Sequence, residues 1–527
     1  MKDFLEKSLK VILEASKTAA EKTELANSFP DIASQQTLVS LVESKLKNRK
    51  LILASNREPY VHIYKGENIS WFRSAGGLSV ALDSMASACN ATWVCHGDGN
   101  ADFKMTDSKG EVKVPPDNPK YTLKRIRLSK QEVAEYYEGF SNETLWPLCH
   151  VSYVRPKFIY KYWLTYQEVN RKFAKAILEV ATSDSIVFLQ DYHLCLVAKY
   201  LKEEIPNLTT VLFWHIPWPN PEIFRICPWK NDILEGLLAN DIIGFHLKYH
   251  ADNFLETVDQ ELESRIDRER MHIEKNLRRT RIKAYPISID FKSIFLQAED
   301  SKIKETYTQK MTELRLKNVK IGLGVDRLDY TKGIPERLDA IERMFEKYPE
   351  HVGKFTYVQI GVPSRTHIED YQYVVNAIET KILQINEKYR TDEWEPVIFL
   401  KGQYDFDVLV PFYKMADVCI VSSLHDGMNL VAKEFIAASS NDRGVLVLSS
   451  FTGAARELEH ALLINPYDTE SFADILNTAL TMPYEEQKMR IARMRLRVAE
   501  NNIYTWAQKI LNDVVMLAED NAETLQR

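Results

Sequence analysis

Residues 320–334, KIGLGVDRLDYTKGI, place an arginine and a lysine five positions apart just past an apolar run: Arg327 and Lys332, with Asp329 between them and Gly333 beyond. HDGMNLVAKE at 425–434 follows a second apolar run and opens a helix. A strand that feeds a loop and then a helix aims backbone N–H groups and the positive end of the helix dipole at an anion. Arg327 offers a planar fork to two phosphate oxygens and Lys332 a mobile point charge, a pair suited to a diphosphate leaving group. Gly427 permits close backbone approach. Asp426 on the loop and Glu434 about one turn into the helix are carboxylates suited to the hydroxyls of a hexose and of a ribose. Alone, either loop also reads as a surface ion pair or an ordinary helix cap. Together they point to a diphosphate-sugar site.

The first half carries a second group. SNREPY puts Arg57 directly after an apolar strand, and SAGGL at 74–78 brings Gly76 and Gly77 before a helix. Paired glycines let a backbone approach a ligand, although a tight turn uses them equally well. The GxGxxG dinucleotide fingerprint is missing here. QDYHL at 190–194 and WHIPWPNPEIF at 214–224 each follow a buried strand and contribute Asp191, His193 and His215. A His at a strand end can hydrogen-bond a sugar hydroxyl, which suits His215, whereas His193 begins a helix and reads as structural. EYYEGFSNETLWP at 135–147 holds Tyr137 and Trp146, whose rings suit stacking on a sugar, and Tyr137 adds a hydroxyl that can reach a phosphate. Core packing is the alternative for both.

These residues need elements to hold them at strand ends. From residue 50 onward, apolar runs (LILAS at 51, IVFLQ at 186, TVLFWH at 210, DIIGFH at 241, IKAYPI at 282) alternate with helical patterns, notably 158–181 and 233–238. A second series (KIGLGV, FTYVQIG, PVIFLKG, VCIVSS, GVLVLSS, ALLINP) begins after the polar stretch at 300–318. Alternating strand and helix predicts α/β architecture with parallel sheets covered on both faces, and ligands at the carboxyl ends of the strands. A chain of 527 residues exceeds one core and predicts two domains. We expect a helical extension over 1–48, an acceptor-side domain over 49–287, a nucleotide-sugar domain over 288–483, and helices over 484–527 that either cap the second domain or cross back to the first.

Apolar content of 45%, charged content of 27% and a net charge of −6 describe a globular protein with no electrostatic footprint for nucleic acid. No segment is apolar for long enough to span a membrane, and the charged N-terminus is unlike a signal peptide. Six scattered cysteines without zinc spacing argue against a disulfide framework and a structural metal, and for a reducing cytoplasmic compartment.

SNR, SAGGL, the YY of EYYEGFSNETLWP, DYHL, HIPWPNPEIF, RLDYTKG, PSR at 363–365 and DGMNLVAKE occur in the order seen in α,α-trehalose-phosphate synthases, which this chain resembles over roughly 50–500. The resemblance implies a GT-B fold, two Rossmann-like doubly wound domains facing across a cleft. It implies retaining transfer of glucose from UDP-glucose to glucose 6-phosphate, without metal or other cofactor. By the same resemblance Arg57, Tyr137, Trp146, Asp191 and Arg365 serve the acceptor. Gly76, Gly77, Arg327, Lys332, Asp426, Gly427, Met428, Asn429, Leu430 and Glu434 serve the donor. His215, Arg327, Lys332 and Asp426 stand closest to the chemistry. We expect no nucleic-acid or membrane partner, and a homo-oligomer. Three departures fall near the sugars: the long segment between Arg57 and SAGGL, His96 where a Trp is common, and His425 where an Arg commonly precedes DGMN. A related transferase acting on glycerol 3-phosphate, or one with another nucleotide donor, would keep the same diphosphate grip.

Overall fold

Short β-branched runs become the strands of two sheets in the computed structural model, which describes residues 33–46, 49–73, 77–439 and 443–526. Gly76 and most of the predicted N-terminal helices lie outside the described residues. The described chain forms two units, one made of 33–287 with the final helix from Tyr504, the other of 288–503.

The first unit has a ten-stranded sheet. Its strands are β1 (Leu51–Ser55), β4 (Thr92–His96), β5 (Glu111–Val114), β6 (Tyr121–Ile126), β7 (Ile186–Gln190), β8 (Thr209–Phe213), β9 (Ile242–Phe245), β10 (Arg265–Asp267), β11 (His272–Lys275) and β12 (Arg278–Ala284). The order β12-β9-β8-β7-β1-β4-β6 is parallel throughout, with β5 added antiparallel at one edge and β11 and β10 at the other. β1, β7 and β9 are buried along their whole length, and a mainly apolar run is their sequence mark, whereas β4 is equally buried but carries Thr92 and His96 at its ends. The long segment after Arg57 is a separate hairpin, β2 (Tyr60–Lys65) with β3 (Asn68–Arg73). Helices α1 (Gly77–Cys89) and α2 (Tyr160–Leu178) belong to this unit. So does a π-helical stretch, Val133–Leu145, that runs into Trp146–His150. In the described part of the N-terminal extension, Ser34 caps Gln35–Leu41 with a capping box to Thr37.

The second unit is a six-stranded, all-parallel sheet in the order β15 (Val397–Lys401), β14 (Phe355–Val362), β13 (Lys320–Arg327), β16 (Val418–Val421), β17 (Val445–Ser449), β18 (Leu462–Ile464). Around it run α3 (Ile334–Lys347), α4 (Glu369–Tyr389), α5 (Phe406–Met415), α6 (Leu430–Ala438) and α7 (Tyr484–Glu500). Leu338, Ile341, Phe345, Ile378, Ile420 and Val447 are among its buried core. Both sheets are doubly wound, the Rossmann-like pair of the GT-B fold. In each, strand order reverses beside the first strand, at β1/β7 and at β13/β16. Such switch points open a crevice at the carboxyl ends of the strands. The helical tail is divided: α7 lies in the second unit, and from Tyr504 onward the chain belongs to the first.

Candidate active site

In the second unit both basic residues stand at the β13/β16 switch point. Arg327 ends β13, and Asp329 caps a single 3-10 turn, Tyr330–Lys332. Gly333 then adopts φ +61 and starts α3; a Cβ there would lie 2.2 Å from the Ser422 carbonyl oxygen. The Lys332 ammonium donates to Asp426 Oδ2 at 2.6 Å, across 94 residues of sequence, with both side chains largely buried. Asp426 Oδ2 also faces Ser423 Oγ and Asn429 Nδ2, each at 3.3 Å. Arg327 remains half-buried, its NH2 3.8 Å from Asp329.

Asp329 is fully buried. One carboxylate oxygen accepts from the Thr331 backbone and hydroxyl, and the other from Arg365 NH1 at 3.2 Å. Burial pushes this carboxyl up, but the charges of Arg365, Arg327 and Lys332 outweigh burial and hold it below the usual carboxylate range. Arg365 also donates to the Tyr371 hydroxyl. A residue assigned to the acceptor by resemblance is thus tied, within one unit, to the residues assigned to the donor.

The DGMN loop is supported from beneath. Gly453 N donates to Asp426 O at 3.1 Å, Ala454 N to Met428 O at 2.9 Å, and Leu424 N to Thr331 O at 2.8 Å. A Cβ on Gly453 would sit 2.1 Å from the Gly427 carbonyl oxygen, so glycine is required at that crossing. Met428 is buried, and Asn429 caps α6 by accepting from Ala432 N. Leu430 begins α6, and Glu434 on its second turn accepts from the Tyr413 hydroxyl at 2.7 Å.

In the first unit, Arg57 beyond β1 donates to the Tyr137 hydroxyl at 2.8 Å. The Tyr137 ring stacks on His193, centroids 5.7 Å apart, and His193 lies against Tyr192. Trp146 is buried against His150 and Tyr192, and Tyr192 joins it to the His193–Tyr137 stack. Asp191 Oδ1 accepts from the backbone N–H of Tyr192 and of His215. His215 Nε2 lies 2.8 Å from Gln190 Oε1. Burial first, then His246 and His193, hold the His215 pKa well below its ordinary value, so the ring is neutral. Gly77 begins α1. His96 closes β4, buried, with burial lowering its pKa. Beneath the hairpin, Arg125 joins Glu58 at 2.7 Å and Asp102 at 3.1 Å.

Asp191 (φ +72), Arg365 (φ +51) and Asn429 (φ +88) are non-glycine residues with positive φ. Such backbone costs about 1–3 kcal/mol at each position and gathers where function demands a geometry. The sequence draws no attention to Gln190, Tyr371 or Tyr413, marks Asp329 only as lying between Arg327 and Lys332, and gives His193 a structural reading. Only the polar type of each, next to a strand end or a motif, could have flagged them.

The model of glycosyltransferase family 20 matches residues 48–515. A trehalose-6-phosphate synthase of Mycobacterium marinum is 39% identical over 451 residues, 84% of this chain and 89% of that one. An Escherichia coli structure bound with UDP-2-fluoro glucose is 34% identical with a TM-score of 0.78, covering 88% of this chain and 99% of the other. A UDP-forming α,α-trehalose-phosphate synthase of Burkholderia xenovorans, solved in complex with glucose-6-phosphate, is 29% identical with a TM-score of 0.79 and the same coverage.

Proposed function

This chain belongs to glycosyltransferase family 20, and from that premise we propose that it transfers glucose from UDP-glucose to the anomeric hydroxyl of glucose 6-phosphate. The products are α,α-trehalose 6-phosphate and UDP, with the α configuration retained. The observation that carries this reading is the bond from Lys332 to Asp426 near Arg327, which joins two strand ends and supports reading these residues as a diphosphate grip.

In the mechanism, Arg327 and Lys332 stabilise the negative charge that grows on the departing diphosphate, an interaction stronger in the transition state than before it. Asp426 orients the Lys332 ammonium and accepts from hydroxyls of the donor glucose. Glu434 takes the ribose, and the backbone of 427–430 lies along the donor. Neutral His215, aligned by Gln190, hydrogen-bonds the donor sugar. Arg57 with Tyr137, Asp191 and Arg365 hold the phosphorylated acceptor. Attack comes from the face the leaving group departs from, and the leaving phosphate receives the acceptor's proton. We assign the reaction to the cytoplasm, where the six unpaired cysteines stay reduced. Among the described residues no helix is long and apolar enough to cross a membrane.

The test incubates purified protein with UDP-, GDP- or ADP-glucose against glucose 6-phosphate or glycerol 3-phosphate, and identifies products by NMR. We expect α,α-trehalose 6-phosphate with UDP as coproduct. Glucosylglycerol phosphate as main product would replace the acceptor assignment, and no transfer with any pair would end the reading.

A further inference from the structure

Glu434 makes one side-chain hydrogen bond among the described residues, and its partner is on a different helix. Tyr413, fully buried on α5, donates its hydroxyl to Glu434 Oε2 at 2.7 Å. Neighbouring Lys433 is committed elsewhere, to Glu457 Oε2 at 3.1 Å, so it does not balance the Glu434 charge. A carboxylate has about four lone-pair sites. The phenol fills one, leaving Oε1 and one site on Oε2 for further donors. Two adjacent acceptor oxygens are what a vicinal diol requires.

We propose that Tyr413 is the positioning residue that presents Glu434 to the paired ribose hydroxyls, and thereby sets the preference for a ribonucleotide over a deoxyribonucleotide donor. This rests on the reading of Glu434 as the ribose ligand. Three observations carry it. The Tyr413 ring is packed on all sides and its hydroxyl has a fixed direction. At 2.7 Å the hydrogen bond ties one Glu434 carboxyl oxygen to the buried phenol. Glu434 also shares α6 with the Asn429 cap and follows directly from the Asp426–Met428 loop, so a carboxylate fixed on α6 is fixed relative to the diphosphate grip. Burial raises the Glu434 carboxyl above its usual range, and the Tyr413 phenol opposes that rise without cancelling it.

The test is calorimetry with UDP, 2′-deoxy-UDP and 3′-deoxy-UDP on the full chain, on Tyr413→Phe, on Glu434→Gln and on the double variant. Phe keeps the ring in its packing and removes only the hydroxyl. We expect the parent to prefer UDP over both deoxy forms by about 10- to 100-fold, the range of a hydrogen bond to a charged group. Tyr413→Phe should weaken UDP by roughly 5- to 20-fold, part of that range, and weaken each deoxy form, which keeps one of the two hydroxyls, by a smaller factor. In turnover the KM for UDP-glucose rises by the same factor while kcat holds, a split that general loosening of the fold would not give. On the Glu434→Gln background, removing the hydroxyl should cost nothing further. A Tyr413→Phe variant with the parent's UDP-to-deoxy ratio, or with an undiminished additional loss in the double variant, overturns the proposal and leaves the donor reading standing. A parent that binds UDP no better than orthophosphate overturns both.

Discussion

Lys332 and Asp426 hold each other, and for the proposed diphosphate grip this makes the lysine more than a loose positive charge. The ammonium is anchored at 2.6 Å between two strand ends, so little reorganisation is needed when charge develops on the leaving group. Lys332→Ala removes that charge and takes from Asp426 its nearest cation, where the proposed reading places the phosphates. We therefore expect kcat/KM for UDP-glucose to fall by about 10³, with Lys332→Arg recovering little because a planar fork does not replace a compact ammonium. A steady-state assay decides it, and near-parental turnover of Lys332→Ala would remove this residue from the chemistry. The members of this cluster were legible as residue types at strand ends. Their partners were not: Asp329 lies 36 positions from Arg365, Gln190 25 from His215, and Tyr413 21 from Glu434. At such separations the contact is made by tertiary packing, which no local pattern encodes.

At the scale of elements, the site consists of loops held in unusual backbone by neighbouring loops. The Gly427–Asn429 turn rests on the turn at Gly453–Arg456, which accepts no side chain at its first position because the Gly427 carbonyl occupies that space. Lys433 on α6 joins the same turn through Glu457. Gly453→Ala must therefore push the DGMN loop outward, and we expect a loss of roughly 2–3 kcal/mol in stability together with weaker UDP binding. Thermal melts with and without UDP measure both, and an unchanged melt would show that the loop yields at no cost. The central strands were readable because strands buried on both faces appear as continuous apolar runs. The edge strands β10 and β11, only 3 and 4 residues long and rich in charge, show no such run. Nor did β4 and β6 stand out, since TWVCH and YTLKRI mix polar residues into buried positions. The hairpin inside the long segment after Arg57 was equally silent, because half of its side chains face solvent.

At the scale of the whole molecule, the chain leaves the first unit after Ile287 and returns to it at Tyr504. The amphipathic pattern of the tail announced helices but not which sheet they cover, since an apolar stripe has no address. The structure supplies it: Trp506 is buried against Phe188 of β7 and Phe213 of β8, with centroids 6.0 and 5.3 Å away. Those two strands end at Gln190 and lead into His215, so the final helix supports the strands from which the proposed sugar contacts project. Ile510, Leu511, Val514 and Leu517 continue the buried stripe. Trp506→Ala should cost about 3–5 kcal/mol, the usual loss for a large aromatic in a core. The loss should fall on one unit: amide exchange is expected to accelerate in β1, β7 and β8 and to remain slow in β13, β14 and β16. UDP affinity, which the proposed reading places on the second unit, should survive while the KM for glucose 6-phosphate rises. Equal acceleration in both sheets would show that the loss of Trp506 is not confined to the first unit and would overturn this prediction.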